Sequence, residues 1–234
     1  MRLYNPPPFK NIDDARNFLF SMMPQDGVLN FAYLGVSFPG ERVENPLDVT
    51  TYSSEWTEYY VNEKYHRLDP AITQGFSGIL PYDWNSQLHR QRRVEDFFSV
   101  ASEFGVGYQG VSIPIRGACG EKAIFSINSE LSKKEWEDFK AAHLGELALF
   151  AYSFHLNILE LLGIAPVTQN VILSDRERSV IKWASEGKTA WETAKILGVA
   201  ENTVHFYLRN AAAKLSASTK PQAVAIAIRE GVLE

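Results

Sequence analysis

Three aromatic residues with polar tips, Tyr52, Trp56 and Tyr60, recur at i, i+4 and i+8 in TYSSEWTEYYVNEKYHRLDP. At 3.6 residues per turn this spacing predicts one helical face carrying all three. Asp69 follows nine residues after Tyr60, Pro70 adjoins it, and Trp84 comes further on. The Trp56 indole can only donate a hydrogen bond, and an ionised Asp69 can only accept one. A carboxylate in such an aromatic surround needs a donor, because an unpaired buried charge is costly. Aromatics at helical spacing also build cores, and Asp-Pro also makes turns. For Tyr60 and Trp84 taken alone, core packing is the simpler reading.

Catalytic patterns are absent from the sequence. The five histidines (66, 89, 143, 155 and 205) show neither H-E-x-x-H nor another ligand spacing. GACGEKA resembles a phosphate loop only superficially, since its glycines are too close and no Ser or Thr follows Lys122. The single cysteine, Cys119, falls in a hairpin turn and excludes an internal disulfide or a multi-cysteine metal site. No enzyme, cofactor or metal centre is expected.

A second group of candidates lies in ENTVHFYLRNAAAKL, residues 201–215. On a helix, Val204, Leu208, Ala211, Ala212 and Leu215 share one side. Asn202, Phe206, Arg209 and Ala213 fall opposite, with His205 beside Arg209. The apolar side must pack on a core, so the other is presented to a partner. A major groove about 12 Å wide admits one helix. Arg209 can donate to a guanine, His205 can bond a base edge or phosphate, and Phe206 can meet a thymine methyl. Lys182, Lys188, Lys214 and Lys220 are candidates for phosphates, which position a protein without specifying sequence.

The elements that must hold these residues can be read in outline. Helices are expected over 9–23, 51–65 (capped by Thr51 or Ser53), 86–104 and 132–163. Strands are expected over 30–38, 109–115 and 122–128, the last two as a hairpin around RGACGE. Helix-flanked antiparallel strands suggest an α/β/α sandwich, and the whole chain an α+β protein. Residues 164–172 read as a linker between a domain over 1–163 and a four-helix unit over 173–234. Within that unit Ser174 and Glu177 form a capping box, and Gly187 and Gly198 close the first two helices. Two short helices joined by a tight turn make a helix-turn-helix.

Hydrophobic residues make up 45% of the chain and charged residues 22%, an ordinary globular balance. The net charge of −5 hides an asymmetry. Residues 171–234 hold nine Lys/Arg against seven Asp/Glu, so the rest of the chain carries −7. Two differently charged parts suggest two partners. No apolar run is long enough to span a membrane, and MRLYNPPPFKN lacks a signal-peptide core, so the cytoplasm is the expected location.

Residues 173–232 resemble the C-terminal DNA-binding domain of the LuxR/GerE family. The likeness runs through LSDRERSVIKWASEGKT, the A-x-x-L-G-V and T-V of the turn, NAAAKL and QAVAIAIREGV. It implies that Glu177, Ile181 and Gly187 make the fold, and that Asn202, Thr203, His205, Phe206 and Arg209, with Lys188, Lys214 and Lys220, meet DNA. The chain departs from the pattern at Ala200, where the family has a Ser cap, at Tyr207 and at Thr219-Lys220.

The W-x3-Y-x8-D-P…W pattern, with Phe104-Gly105 and GVSIPIRG, resembles the acyl-homoserine-lactone-binding domain of quorum-sensing LuxR-type receptors. The resemblance implies that Trp56 donates to the lactone carbonyl and Asp69 accepts from the amide N–H. Tyr52 and Ser126 donate to the amide carbonyl, while Tyr60 and Trp84 pack against the acyl chain and the ring. It further implies a homodimer, with the 132–163 helix as its candidate element, a palindromic operator and RNA polymerase as partners. A receptor for a non-lactone molecule and a constitutive DNA-binding protein are the alternatives. Intact Trp56 and Tyr60 favour the lactone.

Overall fold

The computed structural model describes residues 6–22, 27–38, 46–84, 92–117, 120–164, 173–229 and 231–233. Cys119, residues 86–91 of the expected third helix and 165–172 of the expected linker lie outside them.

Strict alternation makes the sheet. Strands β1 (Val28–Ser37), β2 (Leu47–Thr50), β3 (Tyr82–Asp83), β4 (Gln109–Arg116) and β5 (Lys122–Ser129) pair antiparallel in the order β2-β1-β5-β4-β3. Phe31, Tyr33, Ile113, Ile115, Phe125 and Ile127 point to one face and join the main core. Because the side-chain period is two, Ala32, Ser112, Ser126 and Asn128 point to the other face. The register aligns them in rows: Ala32 and Ser112 both flank Ser126, and Gly110 flanks Asn128. The edge strands β2 and β3 are too short for their alternation to be read from the sequence.

Helices α1 (Ile12–Ser21) and α5 (Lys133–Leu161) cover the first face, burying Ala15, Leu19, Trp136, Phe150, Phe154 and Ile158. Ser132 and Glu135 cap α5 reciprocally, which ties down the first turn of this 29-residue helix. Helices α2 (Ser54–Asn62), α3 (Pro70–Thr73) and α4 (Arg92–Glu103) belong to the opposite layer, with a second core of Trp56, Trp84, Phe97 and Phe98. The unit is an α/β/α sandwich around an antiparallel sheet.

The expected 51–65 helix is shorter and broken. Ser53 is the cap, its Oγ accepting Trp56 N–H at 3.2 Å, while Thr51 Oγ1 accepts Phe31 N–H instead. Tyr52 therefore precedes α2 and does not share a helical face with Trp56 and Tyr60. At the other end Lys64 takes a left-handed conformation, φ +57, which stops α2 and starts a 3₁₀ turn over Tyr65–Arg67.

The C-terminal unit comprises α6 (Asp175–Ser185), α7 (Ala190–Leu197), α8 (Glu201–Lys214) and α9 (Lys220–Arg229). The Ser174–Glu177 capping box is present, and Thr189–Glu192 makes a second that the sequence reading missed. Gly198, φ +65, ends α7 in the left-handed region where glycine carries no Cβ penalty. Residues 198–200 then turn the chain into α8. Val180, Ala194 and Val204 form one small core, and Ile181, Ala211, Leu215, Ala223 and Ala227 another.

Candidate ligand cavity and nucleic-acid interface

A cavity of about 650 Å³ opens between the second face of the sheet and the layer formed by α2, α3 and α4. All six residues expected at a ligand site, Tyr52, Trp56, Tyr60, Asp69, Trp84 and Ser126, line it. Ala32, Leu34, Ile72, Phe97, Val106 and Ile124 supply apolar wall. A mostly apolar cavity with a few convergent polar groups is the usual form of a small-molecule site.

Asp69 is held by the start of α3. It is the N-cap: Oδ1 accepts Ala71 N–H at 2.8 Å, and Pro70 fills the first helical position, where no N–H is needed. The Asp-Pro pair is thus a helix start that turns a carboxylate toward the cavity. Tyr60 Oη donates to Oδ2 at 2.8 Å. Burial pushes the Asp69 carboxyl up to about 6, and the Tyr60 hydroxyl and the Ala71 amide pull the other way. Burial first, and the Asp69 charge second, raise the Tyr60 phenol, which stays a neutral donor.

The Trp56 ring sits in an aromatic wall, 5.7 Å from Tyr60, 6.1 Å from Phe97 and 5.4 Å from Phe104 between centroids. Its indole N–H meets no acceptor among the described residues, although the residue is only 3% exposed. The Trp84 indole is engaged: Nε1 donates to Ser112 Oγ at 2.9 Å, and Ser112 Oγ lies 2.7 Å from Ser126 Oγ. Tyr52 Oη accepts from Asn128 Nδ2 at 3.3 Å. Trp84 lies flat on Gly110, where a Cβ would fall 2.4 Å from the ring.

Tyr60 and Trp84, expected as packing surfaces, therefore also make hydrogen bonds. Asn30, Gly110, Ser112 and Asn128 do not line the cavity but bond or pack against residues that do, and they were not singled out from the sequence. Their signal was present: Gly110, Ser112 and Asn128 interrupt apolar strands at alternate positions, all on one face.

On α8 the expected faces appear. Val204, Ala211 and Leu215 are buried; Asn202, His205, Phe206 and Arg209 are exposed, and Thr203 is half-buried. Ala200 stands at the N-cap with no side-chain bond, and Asn202 does not replace it. The basic residues differ in their engagement. Lys214 Nζ donates to Glu177 Oε2 at 2.7 Å, and Lys220 Nζ donates to the Lys188 carbonyl at 3.0 Å. Burial pushes the Glu177 carboxyl up, but Lys214 and Ser174 outweigh it and hold it below the usual range. Among the described residues no cluster suits a metal, and no helix is long and apolar enough to cross a membrane.

Comparison with known proteins agrees with this geometry. Residues 11–158 match the family Autoinducer binding domain, and residues 171–227 match Bacterial regulatory proteins, luxR family. The transcriptional activator protein RaiR of Rhizobium etli is 32% identical over 180 residues, 77% of this chain and 74% of that one. The transcriptional activator protein AnoR of Acinetobacter nosocomialis is 28% identical over 211 residues, 86% and 87% of the two chains. A crystal structure of Escherichia coli SdiA shares the fold, with a TM-score of 0.63 at 20% identity over 97% of this chain and 93% of that one. RaiR and AnoR are named for control of transcription, not for catalysis. The chain belongs to the LuxR family of transcriptional regulators, in which an autoinducer-binding domain is joined to a helix-turn-helix domain.

Proposed function

We propose that the cavity takes an N-acyl-homoserine lactone and that the liganded protein binds a palindromic operator as a homodimer. The observation that carries this reading is the pairing of opposite polar groups in one apolar chamber. Asp69 is an acceptor there, while Trp56 N–H, the Tyr52 hydroxyl and the Ser126 hydroxyl are donors to be met. An acyl-homoserine lactone offers an amide N–H for Asp69, two carbonyl oxygens for the donors and a tail for the apolar wall.

In this reading residues 1–163 sense the ligand and pair two copies, 164–172 link, and 173–234 read DNA in the cytoplasm. Leu149, Tyr152 and Leu156 make an exposed row on α5 that supports its role in dimerisation. Asn202, Thr203, His205, Phe206 and Arg209 face the major groove; Lys188 and Lys220 meet phosphates, Lys214 adds charge to that surface while paired with Glu177, and RNA polymerase is the protein partner. Ligand that binds only the folded state stabilises it by RT ln(1 + [L]/Kd), about 2.7 kcal/mol at a hundredfold excess over Kd.

The test is expression with and without a panel of acyl-homoserine lactones, followed by soluble yield and thermal midpoint. One lactone should raise both, and Asp69→Ala should abolish the response. An Asp69→Ala protein with normal lactone affinity would sink the assignment. A second reading has support from SdiA, solved in complex with octanoyl-rac-glycerol: an acylated ligand without a lactone. That acylglycerol belongs in the panel. Operator binding without any ligand would favour a constitutive regulator.

A further inference from the structure

Hydroxyl groups are ambiguous, since each can donate or accept. Two in this cavity are not, because each ends a hydrogen-bond chain whose other end has fixed polarity. The first chain starts at the Gly105 carbonyl, which can only accept. Asn30 Nδ2 lies 3.3 Å from it and 3.1 Å from Asn128 Oδ1, so Asn30 turns its amide nitrogen to both. Asn128 must then turn its own nitrogen the other way, to Tyr52 Oη at 3.3 Å. Asn128 is 0% exposed, so water does not offer it another arrangement. Tyr52 is left accepting, and its proton has no acceptor among the described residues.

The second chain starts at the Trp84 indole, which can only donate, and it gives its proton to Ser112. Ser112 is fully buried, and its own proton has one acceptor in reach among the described residues, Ser126 Oγ. A wasted buried donor is costly, so Ser112 donates to Ser126. The Ser126 proton is then the free one, and Ser126 lines the cavity.

We infer that Asn30, Asn128 and Ser112 are positioning residues that set the polarity of the cavity, turning the hydroxyl protons of Tyr52 and Ser126 toward the ligand. This rests on the lactone reading and deepens it. The sheet wall demands an acceptor, here the amide carbonyl, while the Asp69 side demands a donor. A ligand that presents only O–H or N–H at Tyr52 and Ser126 leaves both hydroxyl protons without an acceptor and is disfavoured there. The device sits on one face of β1, β4 and β5, where the register brings Ser112 beside Ser126.

The test compares an acyl-homoserine lactone with its thioamide, whose larger sulfur accepts poorly; the effect of its size is common to wild type and variants. Affinities come from the ligand-dependent shift of the unfolding midpoint of the full-length protein, over matched pairs of several chain lengths. Wild type should prefer the amide by about tenfold, the size of one good hydrogen bond. Asn128→Asp keeps the shape and, at a pH where the new carboxyl is ionised, draws the Tyr52 proton to itself. It should cut the preference severalfold, to the level of Tyr52→Phe, and the double variant should fall no further. Ser112→Ala should cut it by about threefold as Ser126 loses its orientation, and it decides the matter if Asn128→Asp does not fold.

A collapsed preference supports the inference. Damage that is only structural weakens both ligands equally; an unchanged preference in both variants overturns the inference and leaves the lactone reading standing. Failure of wild type to bind any amide of the set overturns the lactone reading, and the inference with it.

Discussion

The Tyr60 hydroxyl lies 2.8 Å from Oδ2 of Asp69, and the other carboxylate oxygen is held by the Ala71 amide at the same distance. Both Asp69 oxygens are therefore already oriented. A carboxylate needs such donors to stay ionised in an apolar chamber. Tyr60 belongs to the polar machinery of the site as well as to its wall.

Tyr60→Phe removes that donor and keeps the ring. The carboxylate then loses a hydrogen bond worth roughly 1.5–3 kcal/mol, as expected for a bond to a charged group. Lactone affinity should drop by tenfold or more at neutral pH, and the pH at which Asp69 ionises should rise. Calorimetric titration across pH checks both; an unchanged affinity would remove Tyr60 from the polar site.

The pH dependence of wild type follows from the same group. Asp69 is raised from 3.8 to about 6 by burial, so between those values the folded free protein holds more protons than the unfolded chain. Its contribution to stability is present at low pH and lost as pH rises through 6. Under the proposed lactone reading ligand binding runs the other way, because the amide N–H needs the carboxylate. Affinity should rise as pH climbs from 5 to 7 and level off above, by up to about tenfold per unit below 6. Asp69→Asn should flatten both profiles, and a flat wild-type binding profile would rule out an ionised acceptor.

The sandwich and the two faces of α8 were legible because their signals are periodic. Alternation in β1, β4 and β5 gave the sheet, and the apolar row from Val204 to Leu215 gave the faces of α8. The helical face through Tyr52, Trp56 and Tyr60 was misread at its first member. Ser53 outcompetes Thr51 as cap, so the helix begins after Tyr52, a choice of hydrogen bond that residue spacing does not encode. Asp69 stood out by its aromatic company, yet its capping role needed the Lys64 turn that brings Asp69 back to Tyr60. The chain from Asn30 to Tyr52 joins residues 22 to 98 positions apart, beyond any local pattern.

Gly110→Ala tests how closely the sheet approaches Trp84. The added Cβ would lie 2.4 Å from the indole ring, so the ring must move and its bond to Ser112 must stretch or break. Overpacking of this kind costs about 1–3 kcal/mol. The thermal midpoint of the sensing unit should fall, and ligand affinity should fall with it. A variant with wild-type midpoint would mean that the ring shifts freely.

Ala200→Ser restores a side-chain acceptor at the start of α8, where none is present. The gain should be about 0.5–2 kcal/mol in the unfolding of the helical unit, read by chemical denaturation. Operator affinity at saturating ligand should change little, since the cap precedes the presented face.

Lys214 and Lys188 separate stability from DNA contact. Lys214 pairs with the buried carboxylate of Glu177, which also holds the Ser174 amide, so the ion pair ties α8 to the start of α6. Lys214→Met leaves that carboxylate short of a partner. Because the lysine is nearly half exposed, the cost is nearer about 1 kcal/mol than the larger values of sealed pairs. Lys188 lends α9 only its carbonyl, which Lys188→Met retains, so its ammonium remains available for phosphate. Lys188→Met should leave stability unchanged and reduce the slope of log affinity against log salt by about one, the signature of a lost phosphate contact. Denaturation and salt-titrated operator binding on the two variants give four numbers. Were Lys214→Met to reduce the salt slope at wild-type stability, its partner would be the phosphate backbone rather than Glu177.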